Sequence, residues 1–325
     1  MARALDIGEV PGLLEAIIAG LDPSVEIEER GGEDASTVKA RPARRPSITG
    51  PATGAVDALR RHWPEYLMEG AGLGLFMVSA GLFGTLLFHP SSPAVGALPE
   101  PLVRQALMGL IMGLTAIGLI YSPWGQQSGA HLNPAVTLTF WRLGKVATWD
   151  AVFYVIAQFA GGLLGVLAVL GVLGAAFAEP PVHYVATVPG PAGEMVALLA
   201  EATIAFGLMT IILFVTNTPK LVRLTGVFAG CLIALYITVE APLSGMSMNP
   251  ARTVASALPG TLFDALWIYF VGPIAGMLLA VDACRLIRRT PEVICAKLNH
   301  HTHRRCIFHC GYAKAGPAGV AHAYD

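Results

Sequence analysis

SGAHLNPAVT, residues 128–137, returns later in the chain as SGMSMNPART at residues 244–253. Six of the ten positions are identical, and a single offset of 116 residues relates the two copies. The flanking sequence repeats as well, since Glu69 and Glu201 each stand near the start of an apolar stretch upstream of one copy. The chain therefore contains two versions of one structural unit.

Each copy carries the residues that begin a helix. Asparagine is a favoured N-cap, and proline suits the first helical turn, where its missing N–H is not needed. Residues 135–142 and 251–258 then have helical potential, but crossing a bilayer takes about 20 residues. Non-helical backbone is tolerated at membrane depth only inside protein or beside water. We therefore predict two re-entrant half-helices, one from each face, whose Asn-Pro ends meet in the middle.

The composition of the 325-residue chain is that of a membrane protein. Apolar residues make up 54% and charged residues 13%, whereas soluble domains carry about 25% charged residues. Disorder requires low hydrophobicity, which most of this chain lacks. A formal net charge of −1 gives no general attraction to nucleic acid, so we expect no nucleic-acid partner.

Six apolar stretches reach or approach the length that spans a bilayer. They are residues 66–88, 103–121, 151–173, 194–215, 225–239 and 263–283. Arginine and lysine precede the first stretch and follow the second, fourth and sixth, whereas residues 174–193 contain neither. By the positive-inside rule both termini are cytoplasmic, and we expect a multi-pass protein of the plasma membrane.

Each copy of the repeat contains three spans. The predicted fold class is therefore an all-α polytopic membrane protein, with six transmembrane helices and two re-entrant half-helices in an inverted 3+3 repeat. The conducting or binding path of such folds lies between the halves. We predict a membrane domain at residues 63–289, with halves at 63–174 and 194–289. A mostly disordered cytoplasmic extension (residues 1–62) precedes it, and a Cys/His-rich cytoplasmic tail (residues 290–325) follows it.

The converging half-helix ends have a chemical consequence. A helix N-terminus carries roughly half a positive charge, so two of them aimed at one point disfavour any cation, including hydronium. The amides of Asn133 and Asn249 offer N–H donors to a passing oxygen. We predict a central constriction that accepts small neutral molecules containing oxygen. Its residues are Asn133, Pro134, Ala135, Asn249, Pro250 and Ala251.

The paired Asn-Pro-Ala boxes, the arginine after the second box, the six spans and the two glutamates resemble the aquaporin (major intrinsic protein) family. The resemblance covers about residues 66–289. It implies a passive channel, not an enzyme, for water and other small uncharged solutes such as glycerol-like polyols and hydrogen peroxide. It also implies a homotetramer in the lipid bilayer.

The resemblance further implies a selectivity filter. Its residues here are Arg252, Ile237, Met246 and, from the second span, Met112, with Gly113 as the alternative. Members specialised for water usually have histidine at the position of Ile237 and an aromatic residue at that of Met112, so this filter is unusually apolar. Glycerol-conducting members usually have aspartate where this chain has Thr253. The preference among neutral solutes therefore stays open.

Three polar residues are expected to support the half-helices. In the family, glutamates at the positions of Glu69 and Glu201 accept hydrogen bonds from the loops that lead to the half-helices, and intramembrane carboxylates need such partners. His131 resembles a histidine that many relatives have in the first loop. A proton relay through the glutamates and a pH gate at His131 are the alternatives.

The tail is rich in metal-binding side chains. They are Cys295, His300, His301, His303, Cys306, His309 and Cys310. Sulfur and imidazole at this density suit Zn²⁺ or another soft metal, although the spacing is that of no standard zinc finger. Redox sensing by the thiols and an unstructured basic tail are the alternatives. We predict no metal site in the membrane domain and no other cofactor.

An ion-coupled secondary transporter is the main alternative function, because many transporters are also built from inverted repeats. A transporter of this kind needs charged residues at a midplane site, where this chain has the Asn-Pro-Ala boxes. An intramembrane enzyme would need a Ser/His pair, a His/Glu metal pair or an Asp dyad on facing spans. The six predicted spans contain no such set.

Overall fold

The structure is a computed structural model that describes residues 51–52, 54–218, 220–288, 293–300 and 304–312. All regular structure in these ranges is helical. We number the eight longest described helices in chain order: α1 Ala55–Phe88, α2 Pro101–Tyr121, α3 Pro134–Arg142, α4 Thr148–Leu173, α5 Glu194–Thr216, α6 Thr225–Val239, α7 Pro250–Gly260 and α8 Ile268–Arg288. Five of the six segments that are long and apolar enough to cross a membrane lie within α1, α2, α4, α5 and α8, and the sixth, Val222–Val239, is α6 together with the short helical turn before it. These segments confirm the predicted class.

The starts of two helices differ most from the prediction. Helix α1 begins at Ala55 rather than at residue 66, and its early turns already belong to the bundle: buried His62 places Nδ1 2.7 Å from Oδ1 of Asp150 in α4. Helix α8 begins at Ile268 rather than at residue 263, because left-handed backbone at residues 261 and 265 (φ 52° and 56°) keeps the intervening stretch in turns. Residues 1–50 lie outside the described residues, so the disorder predicted there stays a prediction.

Both half-helices, α3 and α7, begin at the proline of a box, as predicted. Oδ1 of Asn133 accepts a hydrogen bond from the backbone N–H of Ala135 at 2.8 Å. Oδ1 of Asn249 accepts from the N–H groups of Ala251 and Arg252 at 3.1 and 3.2 Å. These caps satisfy donors that the first helical turn leaves unpaired, so each box determines where its short helix starts.

The long helices pack in pairs that the repeat relates. Helix α1 packs on α4, α5 packs on α8 in the same way in the second half, and α2 and α6 pack on each other across the two halves. Small residues allow membrane helices to approach closely. A Cβ atom on Gly161 would overlap the carbonyl oxygen of Gly70, and one on Gly113 would press on that of Gly230. The glycines therefore bring helices of this one chain into contact.

We call the side of the bundle that carries the start of α1 and the end of α8 the terminal face. The described tail residues, 293–300 and 304–312, pack against this face. Arg305 forms an ion pair with Glu65 in α1, and the ring of Phe308 is buried. These parts of the tail belong to the fold, which contradicts the alternative of an unstructured segment.

Candidate functional site

The two box asparagines meet at the centre of the bundle. Nδ2 of Asn133 donates a hydrogen bond to the carbonyl oxygen of Met248 at 2.7 Å. Nδ2 of Asn249 donates to the carbonyl oxygen of Leu132 at 2.8 Å. Each amide thus binds the loop of the other half, and the two half-helix N-termini converge as the sequence predicts. Because an amide NH₂ has two hydrogens, one N–H of each asparagine remains for an oxygen in the cavity that both side chains line.

The loops that lead into the half-helices share an unusual backbone. Ala130 and Leu132 have φ angles of 56° and 49°, and their repeat partners Met246 and Met248 have φ angles of 52° and 54°. Left-handed backbone costs a residue with a Cβ atom roughly 1–2 kcal/mol. Other contacts must therefore stabilise both loops.

Glu69 of α1 stabilises the first loop. Its Oε1 accepts hydrogen bonds from Oγ of Ser128 at 2.8 Å and from the backbone N–H of His131 at 3.0 Å. Its Oε2 accepts from the backbone N–H of Leu132 at 2.6 Å and from Nε2 of Gln158 at 2.9 Å. Hydrogen bonds to an ionised acceptor are stronger than neutral ones, so this buried carboxylate is well placed for the predicted support role.

Glu201 of α5 does the same for the second loop. Its Oε1 accepts from Oγ of Ser244 and from the backbone N–H of Ser247, both at 2.7 Å. Its Oε2 accepts from the backbone N–H of Met248 at 2.7 Å. The repeat thus reproduces the carboxylate together with its hydroxyl and backbone donors.

Sequence reasoning missed a second pair of supports. The phenol of Tyr154 in α4 donates to the carbonyl oxygen of Ser128 at 2.6 Å, and that of Tyr269 in α8 donates to the carbonyl oxygen of Ser244 at 2.6 Å. Both tyrosines are fully buried. Their spacing of 115 residues, almost that of the boxes, marks them in the sequence as repeat partners but does not indicate what their hydroxyls bind.

An elongated cavity of about 420 Å³ passes the meeting point of the boxes. Its wall includes Gln105 near the start of α2 and Ile120 near its end, so at 1.5 Å per helical residue it extends over roughly 22 Å. Apolar side chains make up most of the wall. Asn133, Asn249 and Arg252 supply hydrogen-bond donors along it.

All four predicted filter residues line this cavity. They are Met112, Ile237, Met246 and Arg252. The alternative to Met112, Gly113, packs instead against the backbone of Gly230 in α6. Nη1 of Arg252 is buried without a hydrogen-bond partner among the described residues, which leaves a guanidinium donor for a molecule in the cavity.

The charges around the cavity are one-sided. Within the described part of the chain, the wall contains no carboxylate, and Arg252 is its one permanently charged residue. Glu69 and Glu201 do not line the cavity, and their carboxylate oxygens accept hydrogen bonds from the loops that lead to the half-helices. A cation in the cavity would therefore find no counter-charge on the wall.

Residues 73–282 match the family model described as major intrinsic protein. The chain belongs to the major intrinsic protein family. Its sequence is 38% identical over 218 residues to aquaporin NIP1-4 of Oryza sativa subsp. japonica, which covers 67% of this chain and 74% of that protein. It is also 38% identical over 182 residues to a probable aquaporin NIP-type of Nicotiana alata, which covers 55% of this chain and 65% of the relative.

A solved structure agrees with this membership in its fold. The aquaglyceroporin from Plasmodium falciparum superposes with a TM-score of 0.58 at 21% identity, covering 69% of this chain and 96% of the other. The family match and these relatives confirm the resemblance drawn from the boxes, and the protein is a multi-pass membrane channel of the aquaporin type.

Thr253, which stands where glycerol-conducting members of the family usually have aspartate, has a structural role. Its Oγ1 lies 2.6 Å from Oγ of Ser247 and 2.8 Å from Oγ1 of Thr187. The Thr253 side chain is buried. The hydroxyl therefore ties α7 to its own loop and to the connection between α4 and α5.

His131 binds the tail as well as its own loop, a contact that sequence reasoning missed. Its Nδ1 lies 3.1 Å from Oγ1 of Thr137 and its Nε2 lies 2.9 Å from the carbonyl oxygen of Ala296. Its ring stacks between Phe140 and Phe308, with centroid distances of 5.2 and 5.4 Å. His131 thus joins the first half-helix loop to a segment 165 residues away.

The tail segment reaches the cavity itself. Leu298 lines the same cavity as the boxes, and its N–H donates to the carbonyl oxygen of Gly129 at 3.1 Å. Nζ of Lys297 donates to the carbonyl oxygens of Gln126 and Arg305 at 2.8 and 2.7 Å. Burial lowers the pKa of the Lys297 ammonium. The pKa of Arg305 is raised instead, because the Arg305 guanidinium donates a hydrogen bond to the Glu65 carboxylate.

Four of the predicted metal-binding side chains come together. The candidate ligand atoms of Cys295, His300, Cys306 and Cys310 all lie within 4.8 Å of one another. His309 is exposed and outside this group. His301 and His303 lie outside the described residues.

Proposed function

We propose that this channel passively conducts water and small uncharged solutes and excludes ions and protons. The observation that carries the proposal is the convergence of two capped half-helix N-termini on one continuous, mostly apolar cavity. Two free amide N–H groups and the Arg252 guanidinium are the donors there. A neutral molecule with an oxygen can exchange hydrogen bonds with them in turn while the rest of the wall binds it weakly.

Cation exclusion follows from the same geometry. Each half-helix contributes about half a positive charge at its N-terminus, and both ends point at the same section of the cavity. Arg252 adds a full charge in the low-dielectric interior, where charge repulsion is much stronger than in water. The described wall contains no carboxylate. Hydronium and metal cations are therefore repelled both where the half-helix N-termini meet and at Arg252.

Solute preference is set by the apolar section. Met112, Ile237 and Met246 offer sulfur and hydrocarbon rather than hydrogen-bonding groups, which reduces the advantage of water over molecules with a carbon skeleton. Nε2 of Gln105 is engaged with the carbonyl oxygen of Ile237 at 2.7 Å, so it adds little polarity of its own. We infer that polyols of the glycerol type and hydrogen peroxide pass together with water.

The setting of the channel completes the proposal. Arginine and lysine are concentrated on the terminal face, so by the positive-inside rule this face is cytoplasmic in the plasma membrane. Exposed apolar side chains such as Leu110, Leu164 and Val172 then face lipid or a neighbouring subunit. The family resemblance suggests a homotetramer with one channel in each subunit.

Stopped-flow light scattering of proteoliposomes tests the function. We expect osmotic water flux above that of protein-free liposomes, solute-driven swelling with glycerol, and no proton or potassium flux. The variant Ala116→Trp, which would fill the cavity beside Ile120, should abolish flux. Leu114→Trp, two residues earlier on the exposed side of α2, is the matched control and should conduct normally.

The same assay separates the channel from an ion-coupled transporter. A channel shows flux proportional to the solute gradient and unaffected by an imposed ion gradient. Saturable uptake that a sodium or proton gradient drives would overturn the proposal, and so would equal conduction by Ala116→Trp and the wild type.

A further inference from the structure

The tail cluster is compact enough for a single metal ion to reach all four of its candidate ligand atoms. In a zinc site with Zn–S bonds of about 2.3 Å and a Zn–N bond of about 2.0–2.1 Å, two sulfurs lie about 3.8 Å apart and a sulfur and a nitrogen about 3.6 Å apart. Here Sγ of Cys295 and Sγ of Cys306 are 3.6 Å apart, and Sγ of Cys310 is 3.1 Å from Nε2 of His300. Three sulfurs and one imidazole form one of the usual ligand sets for structural zinc.

A disulfide explains the cluster less well. A disulfide bond is about 2.05 Å long, and the three cysteines are separate thiols in this structure. Pairing any two of them would also leave the third thiol and His300 in the cluster without a purpose. A metal uses all four groups.

The surroundings hold the ligands in place. Cys295 is buried. Ile307 and Phe308, which lie between Cys306 and Cys310 in the sequence, are buried as well. The His300 ring stacks on Tyr312 with a centroid distance of 4.4 Å. Rotamers held by packing are what a metal site needs from the residues around it.

The loop between the first two ligands reaches the channel cavity through Leu298. Residues 296–299 connect Cys295 to His300, and within them the carbonyl oxygen of Ala296 faces His131 at 2.9 Å. Leu298 reaches the cavity wall and bonds to Gly129. An ion bound by both ends of this loop would shorten and stiffen it against the mouth of the channel.

We propose that Cys295, His300, Cys306 and Cys310 bind one Zn²⁺, and that this ion holds the loop at residues 296–299 across the terminal-face mouth of the channel. The ion would lie outside the conducting path and act through the loop. The site goes beyond the proposed function, since metal binding is measurable whether or not the channel conducts. Loss of the ion would release Leu298 from the mouth and raise the flux.

Metal content tests the site directly. The full-length protein, purified in detergent under reducing conditions, should contain one zinc per chain. After removal of zinc by a chelator, titration with Co²⁺ alone should give the intense visible absorption of a tetrahedral site and the near-ultraviolet band of thiolate ligands, both saturating at one equivalent.

Variants separate ligands from bystanders. Cys306→Ser and His300→Ala should each weaken Zn²⁺ binding by more than about 100-fold, since even changes outside the ligand set cost 10–100-fold. His309→Ala removes an exposed tail imidazole, and Cys231→Ser removes an exposed thiol on α6; both should bind zinc like the wild type. A wild-type protein with neither zinc nor a cobalt spectrum, a disulfide in the freshly reduced protein, or equal losses in the control variants would overturn the site.

Flux measurements test the lid. Wild-type proteoliposomes should conduct water severalfold faster after zinc removal, and readdition of zinc should reverse the change. Leu298→Ala should conduct fast with and without zinc while still binding one equivalent. Stoichiometric zinc with unchanged flux would overturn the lid and leave the metal site standing, whereas absence of flux under all conditions would count against the channel function and not against the site.

Discussion

Replacement of Glu201 tests whether the carboxylate organises the loop that carries the second box. Its two oxygens accept three hydrogen bonds, from Oγ of Ser244 and from the backbone N–H groups of Ser247 and Met248. Two residues of this loop, Met246 and Met248, have left-handed backbone. Without the carboxylate, Tyr269 would still bind the carbonyl oxygen of Ser244, but the backbone N–H groups of Ser247 and Met248 would lose their acceptor.

The expected cost depends on how many donors lose their partner. Glu201→Leu leaves two buried backbone N–H groups unpaired, each worth about 1–3 kcal/mol, for a total of about 2–6 kcal/mol. Glu201→Gln retains one acceptor oxygen for Ser244 and Ser247 and presents its NH₂ group to the N–H of Met248, so it should cost about 1–3 kcal/mol. At about 2–4 °C per kcal/mol, the range for domains of about 150–250 residues, the leucine variant should melt roughly 4–24 °C lower than the wild type.

The assay is thermal unfolding of the purified protein in one detergent, followed by intrinsic fluorescence. Glu194→Gln is the matched control, because Glu194 is an exposed carboxylate in the first turn of the same helix. Its melting temperature should change little. The reasoning would be refuted if Glu201→Leu melted within about 2 °C of the wild type, or if the glutamine variant lost as much as the leucine variant.

Three further substitutions probe the path itself. Asn133→Ala removes a helix cap and one central hydrogen bond, each worth about 1 kcal/mol, so thermal unfolding should show a loss of about 2 kcal/mol. Arg252→Ala should raise glycerol flux in proteoliposomes and admit protons; a variant as selective as the wild type would contradict the filter assignment. Ile237→His places a hydrogen-bonding ring in the apolar section and should lower the glycerol-to-water flux ratio about tenfold, equivalent to a barrier difference of about 1.4 kcal/mol. Ile237→Leu is its control and should leave that ratio unchanged.

The sequence predicts the centre of the molecule well because local chemistry decides it. Asparagine is a favoured N-cap and proline a favoured first helical residue, so the boxes alone indicate the starts of α3 and α7. The internal repeat then pairs them, and the resemblance identifies Glu69 and Glu201 as their supports. Each of these inferences depends on a few neighbouring residues or on a constant offset.

The sequence is less informative where distant segments meet. The start of α1 depends on a contact between His62 and Asp150 across two helices, which no local pattern reports. The packing of the tail involves stacking of Phe308 on the ring of His131, which is far away in the chain. The left-handed loop residues include alanine, leucine and methionine, so composition gives no warning of that backbone.

The reciprocal amide bonds between the two boxes have a consequence for regulation. Because each half donates a hydrogen bond to the backbone of the other half at the centre, the halves cannot separate without breaking both bonds. The central constriction is thus a rigid part of the channel rather than a hinge. We therefore expect any regulation of flux through this channel to act at its two ends, where loops can move while the central constriction keeps its shape.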